Sequence, residues 1–183
     1  MTKIINLYGG AGIGKSSIAS GLLHQLKKRH YSVDAPYEFP KALAWDSNTE
    51  AVKDQLFVIG NQHRGITRSW GKVDYIIMDS PILLALVYKN LYTKTNDEYP
   101  SCLYRDGFDF LIANINNYYD NVNILLERDK SDFDPVGRYQ TLEESIRVDN
   151  RIKEVLDEIN VKYHKLHTDN KVIDNILKIL NIT

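Results

Sequence analysis

The sequence predicts an α/β fold, a doubly wound and mostly parallel sheet, and three observations predict it. Short apolar runs alternate with segments of helical periodicity along the whole chain, the pattern of strands separated by crossover helices. The first run leads into a glycine-rich loop, and the loop opens onto an amphipathic segment. No internal repeat, linker or low-complexity segment interrupts the alternation, so the strands should be largely parallel with right-handed crossovers.

Lys3–Tyr8 (KIINLY) is a short apolar run ended by glycines, hence a buried strand. From Lys15 to about Lys28, Ile18, Leu22, Leu23 and Leu26 share one helical face. Tyr31–Ala35 reads as a second strand, stopped by Pro36. Val52, Leu56, Ile59, Ile66 and Trp70 mark a long amphipathic helix over Ala51–Trp70. Val73–Met78 is a third strand, followed by Asp79-Ser80-Pro81 and a helical Ile82–Tyr88. Tyr92–Ser101 is polar and reads as a loop, and Phe108, Leu111, Ile112, Ile115 and Tyr119 form another helical face. Val122–Leu126 is a fourth strand. Glu127–Tyr139 is charged, aperiodic and interrupted by Pro135 and Gly137, which predicts a loop. Leu142, Ile146, Ile152, Leu156 and Ile159 predict a long helix, Val161–Leu166 a fifth strand and Val172–Leu180 a closing helix.

A chain of 183 residues is expected to form one domain, residues 1–183. Net charge is −1, which argues against a dedicated nucleic-acid coat while leaving room for a local basic groove. One cysteine, Cys102, excludes an intrachain disulfide, and no Cys/His cluster has zinc spacing. No apolar h-region follows Met1 and no run approaches eighteen apolar residues. A cytoplasmic protein with no membrane partner is therefore expected.

The strongest chemical signal is Gly9-Gly10-Ala11-Gly12-Ile13-Gly14-Lys15-Ser16, an ungapped G-x-x-x-x-G-K-[ST], with Ser17 beside it. Its glycines let consecutive backbone N–H groups point inward, and the helix that follows offers its positive dipole end. Lys15 is placed to reach the β- and γ-phosphates of a nucleotide, and the Ser16 hydroxyl to bind Mg²⁺. An ordinary glycine turn would need neither the lysine nor the strand–helix setting. Asp79, at the end of an apolar strand, is expected on the metal side. Ser80 before Pro81 can serve as the helix cap, which would leave Asp79 free.

A hydroxyl acceptor calls for a carboxylate near the attacking oxygen. Glu38, just past the second strand, fits the rule that ligands bind beyond the carboxyl ends of strands. A solvated loop glutamate is the competing reading. Tyr37, Phe39 and Trp45 can form an aromatic wall for a base, or be core. On the long helix, Gln55 and Gln62 share one face and Arg64 and Arg68 another. The glutamines can read a base edge and the arginines hold a phosphate, although all four can also be solvated. His63 falls on the apolar stripe and reads as packed. Arg128 and Arg138 in the charged loop are candidates to neutralise the migrating group as fingers in cis. Asp149, on the apolar stripe of the next helix, is a partner for such an arginine, and Lys130 and Arg147 are alternatives for the charge role.

Taken together, GGAGIGKSS, the Glu38 segment, DQLFVIGNQHRGITR, IIMDSP and LLERD…PVGRYQTLEESIRVDNRI resemble the small phage and bacterial P-loop proteins of the AAA-28 type. Those are similar to the ribosylnicotinamide-kinase domain and, more distantly, to nucleoside and nucleoside-monophosphate kinases. The resemblance spans about Thr2 to Leu166. It implies a five-stranded parallel sheet in order 2-3-1-4-5 with a lid after strand 4, at about residues 127–140. It also implies Lys15 and Ser16 at phosphate and Mg²⁺, Asp79 at the metal, Glu38 at the acceptor, and Arg128 and Arg138 in the lid. The strand ending in Asp79 reads MDSP, without the Glu-Arg-Ser triplet of classical deoxynucleoside kinases.

The function expected is phosphoryl transfer from ATP, with Mg²⁺, to a nucleoside, deoxynucleoside or nucleoside monophosphate. A kinase acting on a base hydroxyl or an end in DNA stays open, as does an ATPase switch. A homodimer is compatible with the sequence.

Overall fold

The computed structural model describes residues 1–36, 46, 51, 54–92, 107–128 and 141–182. Five strands and six helices alternate among them: β1 (Lys3–Tyr8), α1 (Lys15–Lys28), β2 (Val33–Asp34), α2 (Gln55–Ser69), β3 (Tyr75–Met78), α3 (Leu84–Tyr92), α4 (Phe108–Tyr118), β4 (Asp120–Glu127), α5 (Leu142–Glu158), β5 (His164–His167) and α6 (Val172–Ile179). The strands form one sheet in order β2-β3-β1-β4-β5, and every pairing is parallel. All five carboxyl ends therefore point the same way, and the glycine loop leaves the central one.

Side chains of each strand alternate between two cores. Ile5, Leu7, Ile77, Ile124 and Leu126 pack with α1 and α6, through Ile18, Leu22, Leu26, Val172 and Ile176. Ile4, Ile76, Met78 and Leu125 face the other way, against Ile59, Ile66, Leu84, Ile112, Val148 and Ile152. Burying one such side chain is worth about 1.5–3 kcal/mol, against a few tenths separating most helix propensities. Packing on the sheet, not local preference, therefore fixes α1. Asn6 is buried in this setting and satisfied across the sheet, its Nδ2 donating to Asn121 Oδ1 at 2.9 Å and Asn123 Oδ1 at 3.0 Å.

Several ends differ from the sequence reading, each for a local reason. β2 shrinks to two residues because Ser32 is taken up by Asp74, whose Oδ2 accepts from Ser32 N at 2.8 Å and Ser32 Oγ at 2.6 Å. α2 starts at an Asp54 cap that accepts from Phe57 N at 3.1 Å. α3 begins at Leu84 after tight turns such as Leu84 N to Pro81 O, so Ser80 is not its cap. β5 starts late because the end of α5 continues into a left-handed Asn160 (φ 53°) and Val161 N still donates to Leu156 O. α5 itself opens on a capping box, with Thr141 and Glu144 exchanging hydrogen bonds.

His63 packs as expected, with Nε2 2.9 Å from Tyr119 Oη, and Tyr119 meets the Trp70 ring edge-on at 4.6 Å. Burial pulls the His63 pKa below its ordinary value of 6.5. Between the lowered folded value and 6.5 the unfolded chain binds more protons, so stability must fall as pH drops through that window. Thermal melts between pH 7.5 and 5.5 should show this loss, and a His63→Gln variant should show a flatter profile. Equal slopes would remove His63 from the account. Among the described residues no helix is long and apolar enough to cross a membrane.

Candidate active site

The loop from Gly9 to Gly14 joins β1 to α1 with Gly12 (φ 72°) and Gly14 (φ 94°) left-handed, conformations that side chains strongly disfavour. Gly14 is also the N-cap of α1, which has no side-chain cap and no acidic residue in its first turn. A helix start with no side-chain cap and no acidic first turn suits an anion. Ile13 anchors the loop in the core at 2% exposure. Lys15 Nζ donates to Gly9 O at 2.6 Å and Gly10 O at 2.8 Å, so the ammonium lies over the loop's own carbonyls. Ser16 is half-buried and Ser17 exposed on the outer side of α1.

Asp79 sits one step past the Asn6–Met78 pair of the β1–β3 ladder, beside the strand that feeds the loop. It is half-buried. Among the described residues neither its carboxylate nor the Ser16 hydroxyl takes part in a hydrogen bond or ion pair. Two hard oxygen donors are therefore available at adjacent strand and helix ends. No group of three or more His, Cys, Asp or Glu gathers among the described residues.

α2 lies along the same edge. Gln62 is buried and its Nε2 donates to Ser80 Oγ at 2.9 Å, which ties the helix to the residue following Asp79. Gln62 Oε1 is buried with no hydrogen-bond partner. Gln55, seven residues earlier, is buried as well at 3% exposure. A solvated helix face competes with a base-reading one for these glutamines in the sequence; the fold turns their shared face inward. Arg64 and Arg68 are exposed on the other face, and Arg68 Nη2 reaches Asp34 Oδ2 of β2 at 3.2 Å. Arg147 is also exposed, paired with Glu143. Glu38, Tyr37, Phe39, Trp45, Lys130 and Arg138 lie outside the described residues.

Arg128 follows the end of β4. Its side chain is only 7% exposed, with Nε on Asp149 Oδ2 at 3.0 Å. Its Nη2 donates to Ala11 O at 2.9 Å and to Ser145 Oγ at 2.7 Å. The sequence anticipated Asp149 as an arginine's partner. The guanidinium that a finger would present to the migrating group is bound instead to the framework of the loop. Sequence reasoning missed Ser145, which is fully buried and donates to Ala11 O at 2.6 Å. A signal existed: Ser145 and Asp149 are four apart, two polar residues on the buried face of a helix whose stripe is otherwise Val148, Ile152, Val155 and Leu156.

A parallel sheet in order 2-3-1-4-5 whose central strand feeds a G-x-x-x-x-G-K-S loop and a helix N-terminus without a side-chain cap defines a P-loop protein with the fold of the P-loop kinases. More narrowly, the chain belongs to the AAA domain family of the AAA-28 type, whose profile matches residues 4–171. No curated protein matches the sequence. Among solved structures it is similar to a NadR protein in complex with NR, at TM-score 0.73 and 16% identity, over 100% of this chain and 52% of that one. The chain thus spans about half the length of that NadR chain. It is also similar to deoxyadenosine kinase from M. mycoides with bound dATP, at TM-score 0.59 and 20% identity, over 97% and 99% of the two chains. A third likeness is to thymidylate kinase from Ehrlichia chaffeensis, at TM-score 0.63 and 16% identity, over 99% of each. At these identities the likeness is one of fold.

Proposed function

We propose that the protein transfers the γ-phosphoryl group of ATP to a nucleoside, deoxynucleoside or nucleoside monophosphate. The loop supports the donor half of this reading. Its glycines and the start of α1, which no side chain caps, suit a polyphosphate, and the Lys15 ammonium already lies on the loop, where phosphate oxygens could take the place of the Gly9 and Gly10 carbonyls. Ser16 and Asp79 are the residues that would hold Mg²⁺. They fit, because that ion takes one or two protein oxygens together with phosphates and water. Bound there, it would neutralise charge on the phosphates.

The observation that carries the acceptor half is the Gln62 carbonyl, buried and unpartnered beside Ser80. Leaving such an acceptor unmade costs about 1–3 kcal/mol. A ring N–H or exocyclic amine of a nucleobase would supply the missing donor. Glu38, in this reading, takes the proton of an attacking hydroxyl, Tyr37 and Phe39 flank the base, and Arg138 meets the migrating charge. Gln55 lines the same face as Gln62, and Arg64 or Arg68 serves an acceptor phosphate where there is one.

Calorimetric titration of nucleosides and nucleoside monophosphates, with a non-hydrolysable ATP analogue and Mg²⁺ present, tests the acceptor half. At least one should bind with Kd between about 1 μM and 1 mM, and Gln62→Leu should weaken that binding tenfold or more while sparing the ATP analogue. No binding from any of them, or binding indifferent to Gln62→Leu, would overturn it. Glu38→Gln should then lower kcat and leave ATP binding near wild type. An unchanged kcat would return Glu38 to a surface role.

A further inference from the structure

We infer that Asp149 and Ser145, working together with Arg128, are positioning residues that set the first half of the phosphate loop from behind. The inference rests on the reading of that loop as the site of the nucleotide's phosphates. Asp149 bridges two groups: Oδ1 accepts the Gly10 N–H and Oδ2 accepts Arg128 Nε. Ser145 does likewise, donating to the Ala11 carbonyl while accepting from Arg128 Nη2. Arg128 closes the circuit on that same Ala11 carbonyl. One N–H and one C=O of adjacent loop residues are thereby tied to α5 and to the end of β4. The Gly10 carbonyl remains available to Lys15 Nζ.

The fit is close enough to dictate the residue at position 10. A Cβ built on Gly10 would lie 2.6 Å from both the Ser145 carbonyl and its Oγ, and 2.8 Å from Asp149 Oδ1. The glycine therefore serves this contact and not only the loop's curvature.

Electrostatics explains why three residues are needed. A carboxylate bound to a loop amide would by itself oppose a polyphosphate. Arg128, nearly buried against it, cancels that charge while its Nη2 donates to Ala11 O and Ser145 Oγ. Removing Arg128 should thus do more harm than removing Asp149, because the first leaves an anion and the second a cation beside the phosphates.

The test measures Kd for a fluorescent ATP analogue with Mg²⁺, kcat, and the melting curve, for Ser145→Ala, Asp149→Asn, Arg128→Met and the double variant Arg128→Met/Asp149→Asn. Each single variant should stay folded with Kd raised roughly tenfold and kcat lowered. Arg128→Met should be the weakest single binder, and the double variant no worse than it, because the two side chains act as one unit. Ser145→Ala removes only a hydroxyl and keeps the test decisive if a charge variant fails to fold. Folded variants with lowered melting points but wild-type Kd and kcat would reduce the cluster to a structural brace and overturn the proposal. So would losses in the double variant equal to the product of the singles. A wild-type chain that binds no nucleotide would overturn the phosphate-loop reading and the proposal with it. Wild-type binding left unaffected in every variant would overturn the proposal alone.

Discussion

Replacing Lys15 by alanine should leave the protein folded and reduce phosphoryl transfer by roughly two to three orders of magnitude. The size follows from removing one preorganised donor at a site of developing charge, which costs about 10²–10³ in kcat. The fold should survive because Lys15 is half-exposed and its ammonium lies on the carbonyls of Gly9 and Gly10, not in either core. The loop's shape is held from elsewhere, by Ile13 in the core and by the Asp149–Arg128–Ser145 cluster. Circular dichroism and a melt beside the transfer assay check both halves. A fully active Lys15→Ala protein would remove the loop from the chemistry.

Asp79→Asn is expected to have the next largest effect, roughly a hundredfold loss of activity, on the scale seen when a carboxylate that tunes a metal is removed. The substitution keeps the shape and deletes the charge. Asp79 is not committed to any hydrogen bond or ion pair among the described residues, so the variant should melt near wild type. Its signature is a shift of the Mg²⁺ concentration needed for half-maximal rate to higher values, with part of the loss recovered at saturating Mg²⁺. An unchanged Mg²⁺ dependence would mean that Asp79 plays no part at the metal.

The reach of the sequence can be judged element by element. β1 was legible to the residue and α1 nearly so, because a local apolar run, a glycine motif and a helical stripe coincide there. β2 and β5 were legible in existence but not in length. Their ends depend on the Ser32–Asp74 bonds and on the left-handed turn at Asn160, which periodicity does not register. Ser80 illustrates the same limit from the other side. It had the chemistry of a cap, yet its hydroxyl accepts from Gln62, eighteen residues away in sequence and adjacent only in the fold. The strand order came with the family resemblance, since alternation of strand and helix is compatible with more than one order.

The site divides in the same way. Gly9 to Ser16 is contiguous, so its motif could be read whole. Arg128 was readable as a residue at a strand's carboxyl end, and Asp149 as a polar residue out of place on an apolar stripe. That both converge on the loop, at the Gly10 N–H and the Ala11 C=O, with Ser145 as third member, required the packing of α5 against β1 and β4. The inward face of Gln55 and Gln62 was likewise hidden, because a glutamine on an amphipathic helix reads as solvated until the partner surface is known.

In the function proposed, the loop at Gly9–Ser16 presents ATP for transfer of its γ-phosphoryl group to a nucleoside or nucleotide. The most direct measurement follows label from γ-labelled ATP, with Mg²⁺, into a panel of nucleosides, deoxynucleosides, nucleoside monophosphates and duplex DNA. Label is expected on one small molecule of the panel, abolished by Lys15→Ala. Label on DNA alone, or free labelled phosphate with no labelled acceptor, would contradict the proposed function.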